Sequence, residues 1–187
     1  MAARRARRGI PALRDPTALG NPTAELALNE RVRRVGGPPI LFTWLEPLGI
    51  GGHAVLTGHR GEPGCFACLY SQPDGSDEPL HNRAAFGAKG QVYGRSMAGC
   101  VNLYTPYGDL DATRTAELAA RLAIDVLSER EQRNILRSWK GDATTFTEAG
   151  FELSGRYQFT EEQLRTQGAC YLSARCPVCG DQAGEQR

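Results

Sequence analysis

The chain has 187 residues, 41% of them apolar, and a formal net charge of +1. That length suffices for one domain with a real core, and the balanced charge gives no overall field to draw the chain to nucleic acid or a membrane surface. No apolar run reaches the roughly 18 residues of a bilayer span.

The chain opens on "MAARRARRGIP", with four Arg in the first eight positions. This start is basic but has no apolar h-region, so it does not read as a secretory signal. Residues 1–17 read as a solvated, disordered lead-in, with an Arg-rich mitochondrial presequence as the alternative. Without a secretory signal the expected location is the cytoplasm, where thiols stay reduced and structural disulfides are disfavoured.

A helix is expected next. Asn21 is a good N-cap, Pro22 suits the first helical position and Glu25 falls in the first turn. Leu26, Leu28, Val32 and Val35 mark its apolar side, and Gly36-Gly37 ends it. "PPILFTWLEP" reads as a buried strand over about 40–46, stopped by Pro47. "GIGG" reads as a tight connection and "HAVLTG" as a second short strand. "GIGGH" is not G-x-G-x-x-G, and the strand pattern after it argues against a phosphate loop.

Residues 72–99 are polar and Gly-rich, a length that in a compact domain points to a functional or mobile loop. "DATRTAELAARLAIDVLSER" (111–130) is the clearest helix, with Asp111 as its cap. Arg114, Glu117, Arg121 and Asp125 form one polar stripe with two opposite-charge pairs four apart. The rest is Ala, Leu, Ile and Val, so the helix is expected to be buried on most sides. "EQRNILRSW" extends or follows it, "FELSGRYQF" reads as strands, and "TEEQLRTQ" as a short helix capped by Thr160. Trp44, Trp139, His53 and His59 read as structural residues. No Ser/His/Asp triad pattern is legible.

Six cysteines carry the chemistry: Cys65, Cys68, Cys100, Cys170, Cys176 and Cys179. Four form two Cys-x-x-Cys pairs, "CFAC" and "CPVC". Each pair offers two sulfurs on one side of a tight turn, and two such pairs make the tetrahedral set of four thiolates that a structural Zn²⁺ takes. The alternatives are a thioredoxin-like redox pair and buried, unligated thiols. The 107 residues between Cys68 and Cys176 exceed a compact finger, so the fold must bring the halves together. Closing such a loop costs roughly 4 kcal/mol; a structural zinc site returns on the order of 10–16 kcal/mol, so the metal outweighs the closure. Cys170 reads as a small buried apolar residue. Cys100 ends the long loop, an accessible place for a catalytic thiol, with His81 the only candidate base.

The order of these features carries a resemblance. "NPTAELALNERVR", "LFTWLEPLGIGGHAVL", "GCFACLY", a long loop ending in "GCVNLYTPYG", "DATRTAELAARLAIDVL" and "CPVCG" together resemble the second half of the ThiF/MoeB superfamily. These are the ubiquitin-activating-enzyme-like adenylyltransferases, and the nearest subgroup is that of the bacterial activating enzymes of CBASS antiphage operons. The match covers roughly residues 18–180. It implies an α/β fold, the C-terminal portion of a doubly wound sheet, with 18–187 as a partial ThiF-like domain. It implies one structural Zn²⁺ on Cys65, Cys68, Cys176 and Cys179, a crossover loop over about 72–100, and Cys100 as the catalytic thiol. The implied partners are the C-terminus of a ubiquitin-like or cGAS-like protein, a conjugating-enzyme-like protein, and a second copy of the chain. The family's nucleotide-binding half, with its G-x-G-x-x-G loop, Arg and Mg²⁺-handling Asp, has no counterpart here. ATP and Mg²⁺ are therefore expected only in an intact family enzyme, and the chain alone is expected to be inactive in adenylation.

Overall fold

The first helix, α1 (Pro22–Val35), begins where the capping signal places it: the Asn21 side-chain oxygen accepts from the Ala24 amide at 3.1 Å. It ends at Gly36, left-handed at φ 64°, a conformation that glycine reaches without steric cost. The computed structural model describes residues 17–59, 61–71, 81–96, 103–168 and 171–180. Of the expected apolar side of α1, Val32 is buried and Leu26 and Leu28 pack partly buried against the same core, but Val35 does not join them. Glu25, Asn29 and Val32 are buried, while Val35 is 67% exposed. Two of these three are polar because they accept backbone hydrogen bonds, Glu25 from Leu19 and Asn29 from Phe66.

Strands β1 (Ile40–Leu45) and β2 (Gly51–Thr57) pair antiparallel with Phe42 opposite Val55. The short link between them turns on Leu48 (φ 53°) and Gly49 (φ 74°). Strand β2 starts at Gly51, earlier than its sequence pattern indicates. Cβ atoms at Gly51 and Gly52 would lie 2.5 Å from the Trp139 carbonyl oxygen and 2.2 Å from the Thr115 hydroxyl. "GIGG" is thus a flat stretch of sheet as well as a turn. Two short strands, β3 (Arg95–Ser96) and β4 (Leu103–Tyr104), pair with each other.

Helix α2 (Asp109–Leu127) is entered through Gly108, whose amide donates to Asp111 at 3.0 Å. It buries one stripe only, Thr115, Ala119, Leu122 and Val126. Leu110 is 85% exposed and Ile124 54%, so the expected burial on most sides is not met. Its buried stripe lies on Leu41, Ala54, Leu56 and Ile135, one face of the sheet, and nothing among the described residues covers the opposite side of the helix. Of the two charge pairs expected, Glu117–Arg121 forms at 2.7 Å. Asp125 pairs instead with Arg130 and with Arg137 of the following strand.

That strand, β5 (Ile135–Lys140), takes up the "ILRSW" of "EQRNILRSW", which follows the helix and does not extend it. Glu129 at φ 59° breaks the chain away from α2, and β5 runs antiparallel beside β2 to complete a sheet of order β1-β2-β5. Two short helices follow, α3 (Thr144–Glu148) and α4 (Glu161–Thr166), the second closed by the expected Thr160 cap with Gln163 bonding back. "FELSGRYQF" forms no ladder. It makes one bridge, Leu153 to Gly87, and a 3₁₀ turn at Gly155–Gln158. Its aromatics pack with Phe86 and Phe146 around Ile50.

The mixed α/β class therefore holds, with helices beside a small antiparallel sheet. A parallel, doubly wound arrangement is not seen among the described strands. The β1–β2 link is too short for the crossover that a parallel pair requires, and the only parallel contact among the described residues is the Thr17–Phe42 bridge on the edge of β1 away from β2. Side chains alternate across the sheet. Leu41, Ala54, Leu56 and Ile135 face α2, whereas Phe42, Val55 and Leu136 face the cysteine turns.

Candidate metal centre

Cys65 and Cys68 flank a tight turn that leads into the 3₁₀ segment Phe66–Tyr70. Cys65 is extended, and the Cys68 amide donates to its carbonyl oxygen at 3.0 Å. Cys176 and Cys179 lie in an equivalent turn, closed by Gly180 N–H to Cys176 C=O at 2.7 Å. A Cβ on Gly180 would sit 2.4 Å from the Ala174 carbonyl oxygen. The glycine after "CPVC" is therefore a requirement of close backbone approach.

The two turns meet. Sγ of Cys65 lies 3.6 Å from that of Cys176, and Sγ of Cys68 3.3 Å from that of Cys179, in each case across 111 positions of chain. All four sulfurs lie within 4.8 Å of one another. Zn–S bonds of about 2.3 Å in a tetrahedron put sulfurs about 3.8 Å apart, so small shifts bring the quartet onto an ion. Cys65 and Cys68 are fully buried, Cys176 is 2% exposed and Cys179 half-buried. None is in a disulfide. The four cysteines can hold a metal ion, as their spacing indicates. The close sulfur pairs run between turns, which is the geometry of shared coordination and not that of a redox pair within one turn.

Electrostatics supports the same chemistry. Hydrogen bonding from Cys179, Cys65 and Cys68 holds the Cys176 thiol below its ordinary range, and hydrogen bonding to Cys176 pushes Cys65 and Cys179 up. Four sulfurs this close cannot all carry charge on their own. A divalent cation removes the conflict, taking thiolates as ligands and releasing protons.

Three side chains outside the cysteine motifs assemble the site. Buried Asn29 on α1 accepts the Phe66 amide at 3.0 Å, fixing the first turn. Buried Asn134, just before β5, donates to the carbonyls of Glu62, Pro63 and Gly64 at 3.1, 3.1 and 3.0 Å. Its oxygen accepts from His59 N–H at 3.0 Å, so one side chain shapes the whole approach to Cys65. Arg83 donates to the carbonyls of Tyr171, Cys68 and Leu172 at 3.2–3.4 Å, joining the two turns. Sequence reasoning misses all three. The available signal is an Asn inside a helical face and another at the start of an apolar run, each of which must be hydrogen-bonded if buried.

A cavity of 720 Å³ flanks Cys179, between the end of α1 (Val32, Arg33), the loop around His59 and the Pro177–Val178 turn. It borders the least buried of the four cysteines. Cys100 and Cys170, and the parts of the expected crossover loop at 72–80 and 97–100, lie outside the described residues. His81, the base considered for Cys100, is half-buried. Among the described residues no helix is long and apolar enough to cross a membrane. In comparisons with known proteins, the chain matches no protein-family model and no curated protein.

Proposed function

We propose that Cys65, Cys68, Cys176 and Cys179 hold one structural Zn²⁺, and that the chain is the C-terminal portion of a ubiquitin-like-protein activating enzyme of the ThiF/MoeB type. The observation that carries the proposal is the convergence of two Cys-x-x-Cys turns that lie 111 positions apart in sequence. Four thiolates suit the closed coordination of a structural zinc.

In an intact enzyme, ATP with Mg²⁺ would adenylate the C-terminal carboxylate of a ubiquitin-like or cGAS-like protein. The mixed anhydride is an electrophile that a thiolate converts to a thioester, and Cys100 is the proposed acceptor. The zinc site's part is structural: it ties the segment entering the loop at 72–100 to the Cys176–Cys179 turn. By itself the chain is expected to give no ATP–pyrophosphate exchange. Supplied with a nucleotide-binding half and its substrate, it should form a thioester on Cys100 that Cys100→Ser converts to a stable ester. Exchange by the 187 residues alone would contradict the partial-enzyme reading.

A second reading, a zinc-stabilised protein-binding module without catalysis, is favoured by the exposed Leu110, Ile124 and Leu127 of α2. It predicts partner binding that survives Cys100→Ser and no trapped ester.

A further inference from the structure

On the face of the sheet opposite α2, the strand register places His53 between Trp44 of β1 and Ser138 of β5. No linear pattern announces what this produces. His53 Nδ1 lies 2.8 Å from the Ser138 hydroxyl oxygen, and its Nε2 lies 3.1 Å from Glu46 Oε1. The other Glu46 oxygen accepts from the Phe86 amide at 3.3 Å. Both carboxylate oxygens are thus acceptors, which sets the ring proton on Nε2 and leaves Nδ1 to accept from the Ser138 O–H. On the far side of Ser138, Arg156 Nη2 donates to the same oxygen at 3.4 Å.

We infer that Ser138, His53 and Glu46 form a nucleophile–base–acid relay acting on an activated acyl carbonyl, an ester or thioester, with Arg156 beside the reacting centre. Each connection is one that the chemistry needs: nucleophile to base, base to orienting carboxylate. Such constellations are recognised by geometry and role, on any fold and in any chain order. The imidazole is held between the Trp44 and Phe86 rings, with centroids at 4.9 and 4.7 Å, so its orientation is fixed. Desolvation by complete burial lowers the His53 pKa against the raising effect of Glu46, which keeps the ring a neutral base near pH 7. The relay has a closed and an open end. His53 is fully buried and Glu46 5% exposed, whereas Ser138 and Arg156 are half-buried.

In the proposed step, Ser138 Oγ bonds to the carbonyl carbon and its proton passes to His53 Nδ1. The Arg156 guanidinium faces the oxyanion. Collapse expels the alkoxide or thiolate, which takes the proton from Nδ1. Water then attacks the acyl-serine, giving its proton to Nδ1, and the carboxylic acid leaves as Ser138 is regenerated. This chemistry is independent of the cysteine site and of the activating-enzyme reading.

The test uses the full chain with a fluorophosphonate probe, followed by peptide mapping, and with 4-nitrophenyl acetate as substrate. The expected result is label on Ser138, absent from heat-denatured protein and from Ser138→Ala, with ester turnover falling about 10²–10⁴-fold in His53→Gln. Label mapped elsewhere, or no more label on Ser138 in folded than in denatured chain, overturns the inference. Because mapping of the unmutated chain decides this, a variant that fails to fold does not rescue it. A network that only fills the core would leave Ser138 unlabelled.

Discussion

Two sites occupy the same face of one sheet and are assembled in different ways. The cysteine quartet joins two turns, each local, whose members sit three positions apart in sequence. The Glu46–His53–Ser138 line joins three elements one residue at a time and exists only through strand register. The first is stapled together by its ligands and by Asn29, Asn134 and Arg83. The second is held by the sheet and by aromatic packing on both sides of His53. A site made of local motifs depends on whatever bridges those motifs, whereas a site made by register depends on the sheet.

The largest expected effect tests that dependence at the quartet. Replacing Cys176 and Cys179 by Ser should abolish metal binding. A contribution on the order of 10 kcal/mol is comparable to the whole stability of a small domain, so circular dichroism and denaturant titration should show a largely unfolded chain. A cooperative transition at the wild-type midpoint would mean that the sheet alone supports the fold.

Next come the two buried asparagines. Asn134→Ala leaves three carbonyls and the His59 amide without their partner, and Asn29→Ala orphans the Phe66 N–H. Each orphaned buried group costs about 1–3 kcal/mol, so Asn134→Ala should be the more damaging of the two. Zinc affinity should fall about 10–100-fold in both, as expected for groups that orient ligands; competition with a chromogenic chelator measures it. Equal affinity in wild type and variants would show that the turns need no support.

The His53 end should be sensitive to acid. Its folded pKa is lowered by desolvation, so the folded state binds fewer protons than the unfolded chain. Stability conferred by the neutral ring is present above the unfolded value of about 6.5 and is lost as pH falls below it, by up to about 1.4 kcal/mol per unit. Glu46 opposes this loss and Arg156 adds to it. Denaturant midpoints measured from about pH 7.5 down to about 5.5, one unit either side of the free imidazole value, with zinc in excess, should shift downward in wild type. A midpoint independent of pH would contradict a buried neutral imidazole. The smallest effect belongs to α2: Ile124→Ser, at an exposed position, should change stability by less than about 0.5 kcal/mol. A larger loss would show that this side is covered.

The same contrast explains what is legible in the sequence. Capping chemistry is local, and so α1 and α4 begin where Asn21 and Thr160 place them. Cys-x-x-Cys is local, and so the ligand set can be named from spacing. Burial is not local: Val35 is exposed, and Asn29 is buried because the Cys65–Cys68 turn, distant in sequence, docks on α1. β5 is obscured because "ILRSW" follows a long helix, and only the sheet edge offered by β2 makes it a strand. Ser138 and His53 become neighbours through that same pairing, which no pattern within either segment encodes.

The central claim is that four cysteines from two distant turns share one zinc ion. Metal analysis of the purified chain by native mass spectrometry, with single Ser variants of Cys65, Cys68, Cys176 and Cys179, tests it most directly. The account predicts about one Zn²⁺ per chain, bound with protons released from the thiols and weakened or lost in every one of the four variants. A folded, metal-free chain, or zinc retained undiminished when either turn loses a cysteine, would contradict it.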